Sequence, residues 1–179
     1  MKRNASQFAQ AMIDSGLYVE TKGQNRGPTI DELNLEYGYP LGSSWCILFI
    51  VRAFDVSWME HGKPKDVIRL PKTAGSQYLL SWFKKKGWTS TDPQDLLNWK
   101  GALAIRTDPG GKRGHGVLVK ARFTKDGKIV AIGTSEGNTD ENGGSNGDRA
   151  ANRRRKIPLT PYKWTFCNTS FIIGGAYWK

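Results

Sequence analysis

The order of hydrophobic patterns predicts an α+β domain in which helices from the first half of the chain pack on an antiparallel sheet built by the second. Before Gly101 the apolar residues recur at helical spacing, whereas after it they alternate or run together in short β-branched stretches. Helical and strand patterns are not interleaved, which argues against a βαβ doubly wound fold. A chain of 179 residues lies in the size range of one domain, so residues 1–179 are expected to fold as a single unit.

Residues 6–17 carry Phe8, Ala9, Met12, Ile13 and Leu17 on one helical face, with Gly16 near the end. Residues 18–44 are rich in Gly, Pro and Asn and read as an approach loop, holding a short helix over 30–37 that Pro28 and Asp31 help start. The stretch Trp45-Cys46-Ile47-Leu48-Phe49-Ile50-Val51 is apolar nearly all round. Its continuation to Glu60 favours a buried helix, with Ser43 and Ser44 as caps and Cys46 in the first turn. A further helix is expected over 76–85, and strands over 102–106, 117–123, 129–133 and 171–177.

Composition narrows the function classes. Seven Trp, seven Phe and six Tyr exclude a disordered chain. No segment reaches the length of a membrane span, so no membrane insertion is expected, and the opening residues lack the apolar core of a signal peptide. The two cysteines, Cys46 and Cys167, show no paired spacing for a disulfide framework or a zinc site, although one bridge between them stays open. A formal net charge of +11 calls for an anionic partner without choosing among nucleic acid, membrane and cell-wall polymer. The polar stretch 140–148 lacks the order of a calcium loop, so neither metal nor cofactor is expected. His61 reads as a helix-end residue, Cys167 as buried, and the runs 84–86 and 153–156 as solvated basic faces.

One local signal carries chemistry. Asp126-Gly127 between two β-rich runs predicts a two-residue hairpin turn with Lys125 opposite Lys128. Counting back without a bulge sets Phe123 against Val130, Ala121 against Ile132, Val119 against Thr134, Val117 against Glu136 and His115 against Asn138, all on one face. That face is apolar and ends in His115, Glu136 and Asn138. A carboxylate or amide that holds a histidine fixes its tautomer and frees the other nitrogen to act as a base. The apolar helix starting at Trp45 and Cys46 is the expected layer on the same face. It would bring a cysteine whose thiolate is favoured by the helix N-terminus and by an imidazolium.

The segments Gly42-Ser43-Ser44-Trp45-Cys46, Arg113-Gly114-His115-Gly116-Val117 and Ser135-Glu136-Gly137-Asn138-Thr139 together resemble the CHAP family of cysteine, histidine-dependent amidohydrolases/peptidases. Gly23-Gln24-Asn25-Arg26-Gly27-Pro28 is similar to the lead-in found there. The resemblance implies a papain-like fold and cleavage of an amide bond in peptidoglycan. It implies Cys46 as nucleophile, His115 as general base, Glu136 as third member and Asn138 in support, with Trp45 as a candidate lining of the substrate cleft. Two departures bear on cleft shape: Gly116 stands where a larger apolar residue often follows the histidine, and Ile47-Leu48 replace small residues. Such an enzyme, made in the cytoplasm without a signal peptide, would act at the bacterial cell wall as a phage lysin or as a toxin delivered to competitors, in the latter case with an inhibitor protein as partner. The rival from another class is a basic nucleic-acid-binding module, which predicts salt-sensitive binding indifferent to Cys46. The chain shows no recognisable nucleic-acid motif, so no nucleic-acid partner is expected.

Overall fold

A computed structural model describes residues 2–62, 68–140, 147–159 and 162–172. Four helices come first. Helix α1 (Ala5–Asp14) starts at a capping box in which the Asn4 side chain accepts from the Gln7 N–H and the Gln7 side chain accepts from the Asn4 N–H. Helix α2 (Pro28–Glu36) has proline in its first turn, where a missing N–H costs nothing. Helix α3 (Cys46–Glu60) buries ten of its fifteen residues, as its nearly all-round apolar sequence requires, and α4 (Ser76–Lys85) follows. The loop 38–45 delivers α3 without the expected serine caps: Trp45 takes the N-cap position without a side-chain cap bond, and Ser43 Oγ instead donates to the Pro40 carbonyl at 2.7 Å. His61 closes α3 as expected, its Nδ1 2.7 Å from the Ser57 carbonyl.

The strands are β1 (Thr89–Ser90), β2 (Ala102–Thr107), β3 (Gly114–Lys125), β4 (Lys128–Thr139), β5 (Arg149–Lys156) and β6 (Lys163–Asn168), with a 3₁₀ turn over Pro93–Asn98. They form one six-stranded sheet in the order β1-β6-β2-β3-β4-β5, every neighbouring pair antiparallel. Period-two alternation divides its apolar side chains. Leu103, Ile105, Leu118 and Cys167 pack with the helices, while Ala102, Ala104, Val117, Val119, Trp164 and Phe166 join Leu96 of the 3₁₀ turn on the other face. The mixed α+β architecture with helices laid on an antiparallel sheet is thus as the patterning predicts.

Three expectations change. The basic run 153–156 is half of strand β5 and solvated only in part, with Arg154 and Lys156 exposed and Arg153 and Arg155 half-buried, and Lys163–Asn168 forms a strand that patterning missed. In the stretch 171–177, Phe171 lies in a turn and Ile172 makes an isolated bridge to Ile68; residues 173–177 lie outside the described residues. Both cysteines are buried and free, so the open possibility of a bridge is not realised. Among the described residues no helix is long and apolar enough to cross a membrane.

The β3–β4 hairpin holds the site's register in an unexpected way. Lys125 faces Lys128, but Phe123 faces Ala131 and Ala121 faces Gly133, because Val130 is an extra residue on β4. A second bulge at Lys120 on β3 takes the shift back, so Val119 faces Thr134 as counted from the turn. Two bulges on opposite strands cancel before the polar end of the hairpin is reached.

Candidate active site

Beyond Leu118↔Ser135 the ladder between β3 and β4 stops, yet β3 stays paired with β2 as far as Gly114 and β4 with β5 as far as Thr139. The two strands therefore fork, and the N-terminal turn of α3 sits over the fork. Two glycines permit this approach. A Cβ on Gly116 would lie 2.3 Å from Ile47 Cδ1, and one on Gly137 would lie 2.7 Å from Phe49 Cβ and 2.9 Å from a Trp45 ring carbon. Since Gly116, Leu118 and Gly137 face α3, the intervening His115, Val117 and Glu136 point to the opposite face. This corrects the expectation that α3 and His115 share a face: Cys46 reaches the imidazole at the fork, from the first position of the helix, where the Gly116 N–H bonds to its sulfur.

His115 and Glu136 meet across the fork, with Nε2 3.2 Å from Glu136 Oε2, and both side chains are essentially sealed from solvent. With Nε2 committed, Nδ1 is the nitrogen left for the thiol, and it is buried without a hydrogen-bond partner among the described residues. Glu136 is itself gripped: Arg155 on β5 donates Nε to Oε1 at 2.8 Å and Nη2 to Oε2 at 2.6 Å, and the Thr134 hydroxyl donates to Oε1. Charges buried together shift each other. Burial alone would push the Glu136 carboxyl up, but His115 and Arg155 bring it down to about 2. Burial alone would lower His115, but Cys46 and Glu136 outweigh it and raise the imidazole to about 9. Burial likewise opposes ionisation of Cys46, yet the His115 imidazole, the Gly116 N–H and the Ser44 hydroxyl hold the thiol below its ordinary range. Both shifts favour the thiolate–imidazolium form of the pair over the neutral one. Cys167, whose burial is offset only by distant Lys84, is pushed well up and stays an inert thiol.

Asn138 and Trp45 do not sit where the sequence reading put them. Asn138 adopts a left-handed backbone (φ 54°), which asparagine tolerates better than most residues, and this turns its side chain out of the strand alternation. Its Nδ2 donates to Asn25 Oδ1 at 2.9 Å and to Ser44 Oγ at 3.2 Å, so it braces the loop before Cys46 rather than orienting His115. Ser44 Oγ in turn lies 3.9 Å from Cys46 Sγ. Trp45 is wholly buried; its ring meets Phe49 edge-on and its Nε1 donates to Glu20 Oε1 at 3.2 Å, so it lines no cleft.

Cys46 opens into a cleft of about 580 Å³ walled by Ser44, the first residues of α4 and the turn carrying Asp108, Lys112 and Arg113. Gln77 of α4 fixes that turn, its Nε2 donating to the carbonyls of Arg106 and Arg113 at 3.3 Å each and its Oε1 accepting from the Thr107 hydroxyl. Another hollow, on the far side of the sheet, is lined among the described residues by Thr91, Ile157, Pro158, Tyr162 and Trp164, with no cysteine or histidine. Comparison of the chain with protein-family models, curated proteins and solved structures returned no match. Among the described residues no three His, Cys, Asp or Glu side chains converge as a metal site, and most of the oxygen-rich loop, residues 141–146, lies outside them.

Of the residues singled out from sequence, Cys46, His115 and Glu136 come together. The grip of Arg155, the Asn25–Asn138–Ser44 brace and the clamp by Gln77 were not anticipated. Asn25 lay within the lead-in motif, but nothing in a lone Gln77 or a run of arginines signals a buried partner.

Proposed function

We propose that this chain is a cysteine amidohydrolase or peptidase of the CHAP type, with a papain-like arrangement of helix and sheet, that cleaves an amide bond of bacterial peptidoglycan. The observation that carries the chemistry is the buried relay Cys46, His115 and Glu136 at the floor of an open cleft. The family and the substrate rest on the three motif segments that surround those residues. The two departures from the motif offset each other, because the Ile47 side chain occupies the volume that a larger residue at position 116 would fill.

The Cys46 thiolate attacks the scissile carbonyl carbon, and the carbonyl electron pair moves to oxygen. The Cys46 N–H, in the first turn of α3 where no intrahelical acceptor exists, is placed to hold that oxyanion. Collapse breaks the C–N bond, and the amine leaves with the proton of His115 Nδ1. Water, deprotonated by the same nitrogen, then attacks the thioester, and Cys46 departs as thiolate. Glu136 keeps Nε2 donating throughout and balances the imidazolium. Lys112 and Arg113 beside the cleft suit the carboxylates of a stem peptide.

Action as a phage lysin or as a toxin delivered to competing bacteria, with an inhibitor protein in the second case, belongs to the same proposal. Digestion of purified peptidoglycan of several chemotypes by the native chain and by Cys46→Ala, read by mass spectrometry, tests it. New amino and carboxyl ends that need Cys46 are expected. Their absence from every chemotype, together with salt-sensitive nucleic-acid binding that ignores Cys46, would replace the reading with the basic binding module.

A further inference from the structure

In the reactive form, with a thiolate at Cys46, the relay contains more negative charge than its three members can balance. With Cys46 and Glu136 both ionised around a single imidazolium, it would carry a net charge of −1 in a place where Glu136 and His115 have no solvent. Arg155 supplies the missing cation. Its Cα partner on β4 is Ile132, and its side chain runs along the sheet past Thr134 to grip both oxygens of Glu136 in a bidentate fork, its own side chain only 17% exposed. Its guanidinium also lies 5.3 Å from the centre of the Trp164 ring, which packs beneath it.

We propose that Arg155 is a positioning residue of the relay: it acts on Cys46 through Glu136 and His115, keeping the carboxylate ionised and aimed at Nε2 and completing a buried array of two anions and two cations. The inference rests on the cysteine-hydrolase reading of the site but not on any particular substrate.

Other charges near the array are engaged elsewhere. Arg106, the Cα partner of His115 on β2, pairs with Asp108 at 2.8 Å and lies over the Tyr162 ring, and Arg153 on β5 donates to the Asp140 carbonyl. On α3 the facing group is Cys46 itself, and Thr134 on β4 contributes a neutral hydroxyl. Arg155 is thus the cation placed on Glu136.

Without that cation a proton on Cys46 relieves the excess negative charge, so the thiolate forms only at higher pH. The test is the rate of iodoacetamide alkylation at Cys46 against pH, read by peptide mass spectrometry so that Cys167 is scored separately, for the native chain, Arg155→Lys and Arg155→Met. The midpoint should rise by about one unit in Arg155→Met. It should rise by less in Arg155→Lys, which keeps the charge but not the fork. Near-ultraviolet circular dichroism reports folding. If Arg155→Met does not fold, the lysine variant decides alone. An unchanged midpoint in whichever folded variants are obtained overturns the proposal. Alkylation needs no peptidoglycan, so a shifted midpoint together with absent hydrolysis would uphold Arg155 and sink the substrate reading, and hydrolysis with an unshifted midpoint would do the reverse.

Discussion

His115 turns Nε2 to Glu136 at 3.2 Å and leaves Nδ1 for Cys46, so one imidazole joins a carboxylate on β4 to a thiol at the head of α3. Neither partner shares an element with the histidine. The contact exists because β3 and β4 separate after Leu118↔Ser135 while each stays paired on its outer side.

Loss of either partner should be unequal in kind. His115→Ala removes the acid and base and is expected to lower kcat by about 10²–10⁴-fold. Glu136→Gln keeps a side chain of the same size but removes the charge that raises His115, so the alkaline limb of its pH profile should move down from about 9. A kcat profile that falls in height without moving along the pH axis would contradict the assigned role of Glu136.

The pH window follows from two shifts of opposite sign. Cys46 is held below the ordinary thiol range, so acid must fall below that depressed value before the thiolate is protonated. His115 is raised to about 9, so base removes the proton needed by the leaving amine only above that pH. These are properties of the coupled pair. A plateau of kcat/KM between the two limbs is expected, with the upper limb near 9, measured on any substrate that the chain cleaves.

The glycines beneath α3 should differ in tolerance. At Gly116 an added Cβ meets the flexible end of Ile47, whereas at Gly137 it meets Phe49 Cβ and the Trp45 ring. Gly116→Ala is expected to cost about 1–3 kcal/mol and Gly137→Ala more, because less can move there. Pairing Gly116→Ala with Ile47→Val should return part of the loss. Urea denaturation of the single and double variants measures this; equal costs at the two positions would count against the packing described.

Asn138→Ala should separate bracing from base orientation. It removes two hydrogen bonds to Asn25 and Ser44 and none to His115, so about 1–3 kcal/mol of stability should be lost while the alkaline limb stays in place. A moved alkaline limb would restore Asn138 to the role first expected of it.

Much of this arrangement is legible in the sequence, and the misses have definite physical causes. Helix α4 spans the expected residues, and α3 starts at Cys46, because long apolar runs leave little choice of period. The register at Val119 and Thr134 comes out as counted only because the bulges at Val130 and Lys120 cancel, and bulges leave no mark in a pattern of mixed Lys, Ala and Val. The face covered by α3 was misjudged because the apolar side chains of β3 populate both faces and the glycines that admit the helix look like gaps. Arg155 was hidden by its neighbours: in a strand, 153 and 155 point inward and 154 and 156 outward, but four consecutive basic residues show no alternation. Trp45 looked available beside a nucleophile, and only the packing of Tyr18 and Phe49 around it reveals a core residue.

The most direct measurement is the intact and peptide mass of the protein quenched in acid during peptidoglycan digestion, where a thioester survives. The account predicts an acyl fragment of the stem or cross-bridge peptide attached to Cys46, absent from Cys46→Ala and also from His115→Ala, which lacks the acid that the leaving amine needs. Release of the same fragments at an undiminished rate by Cys46→Ala, with no adduct on the native chain, would contradict it.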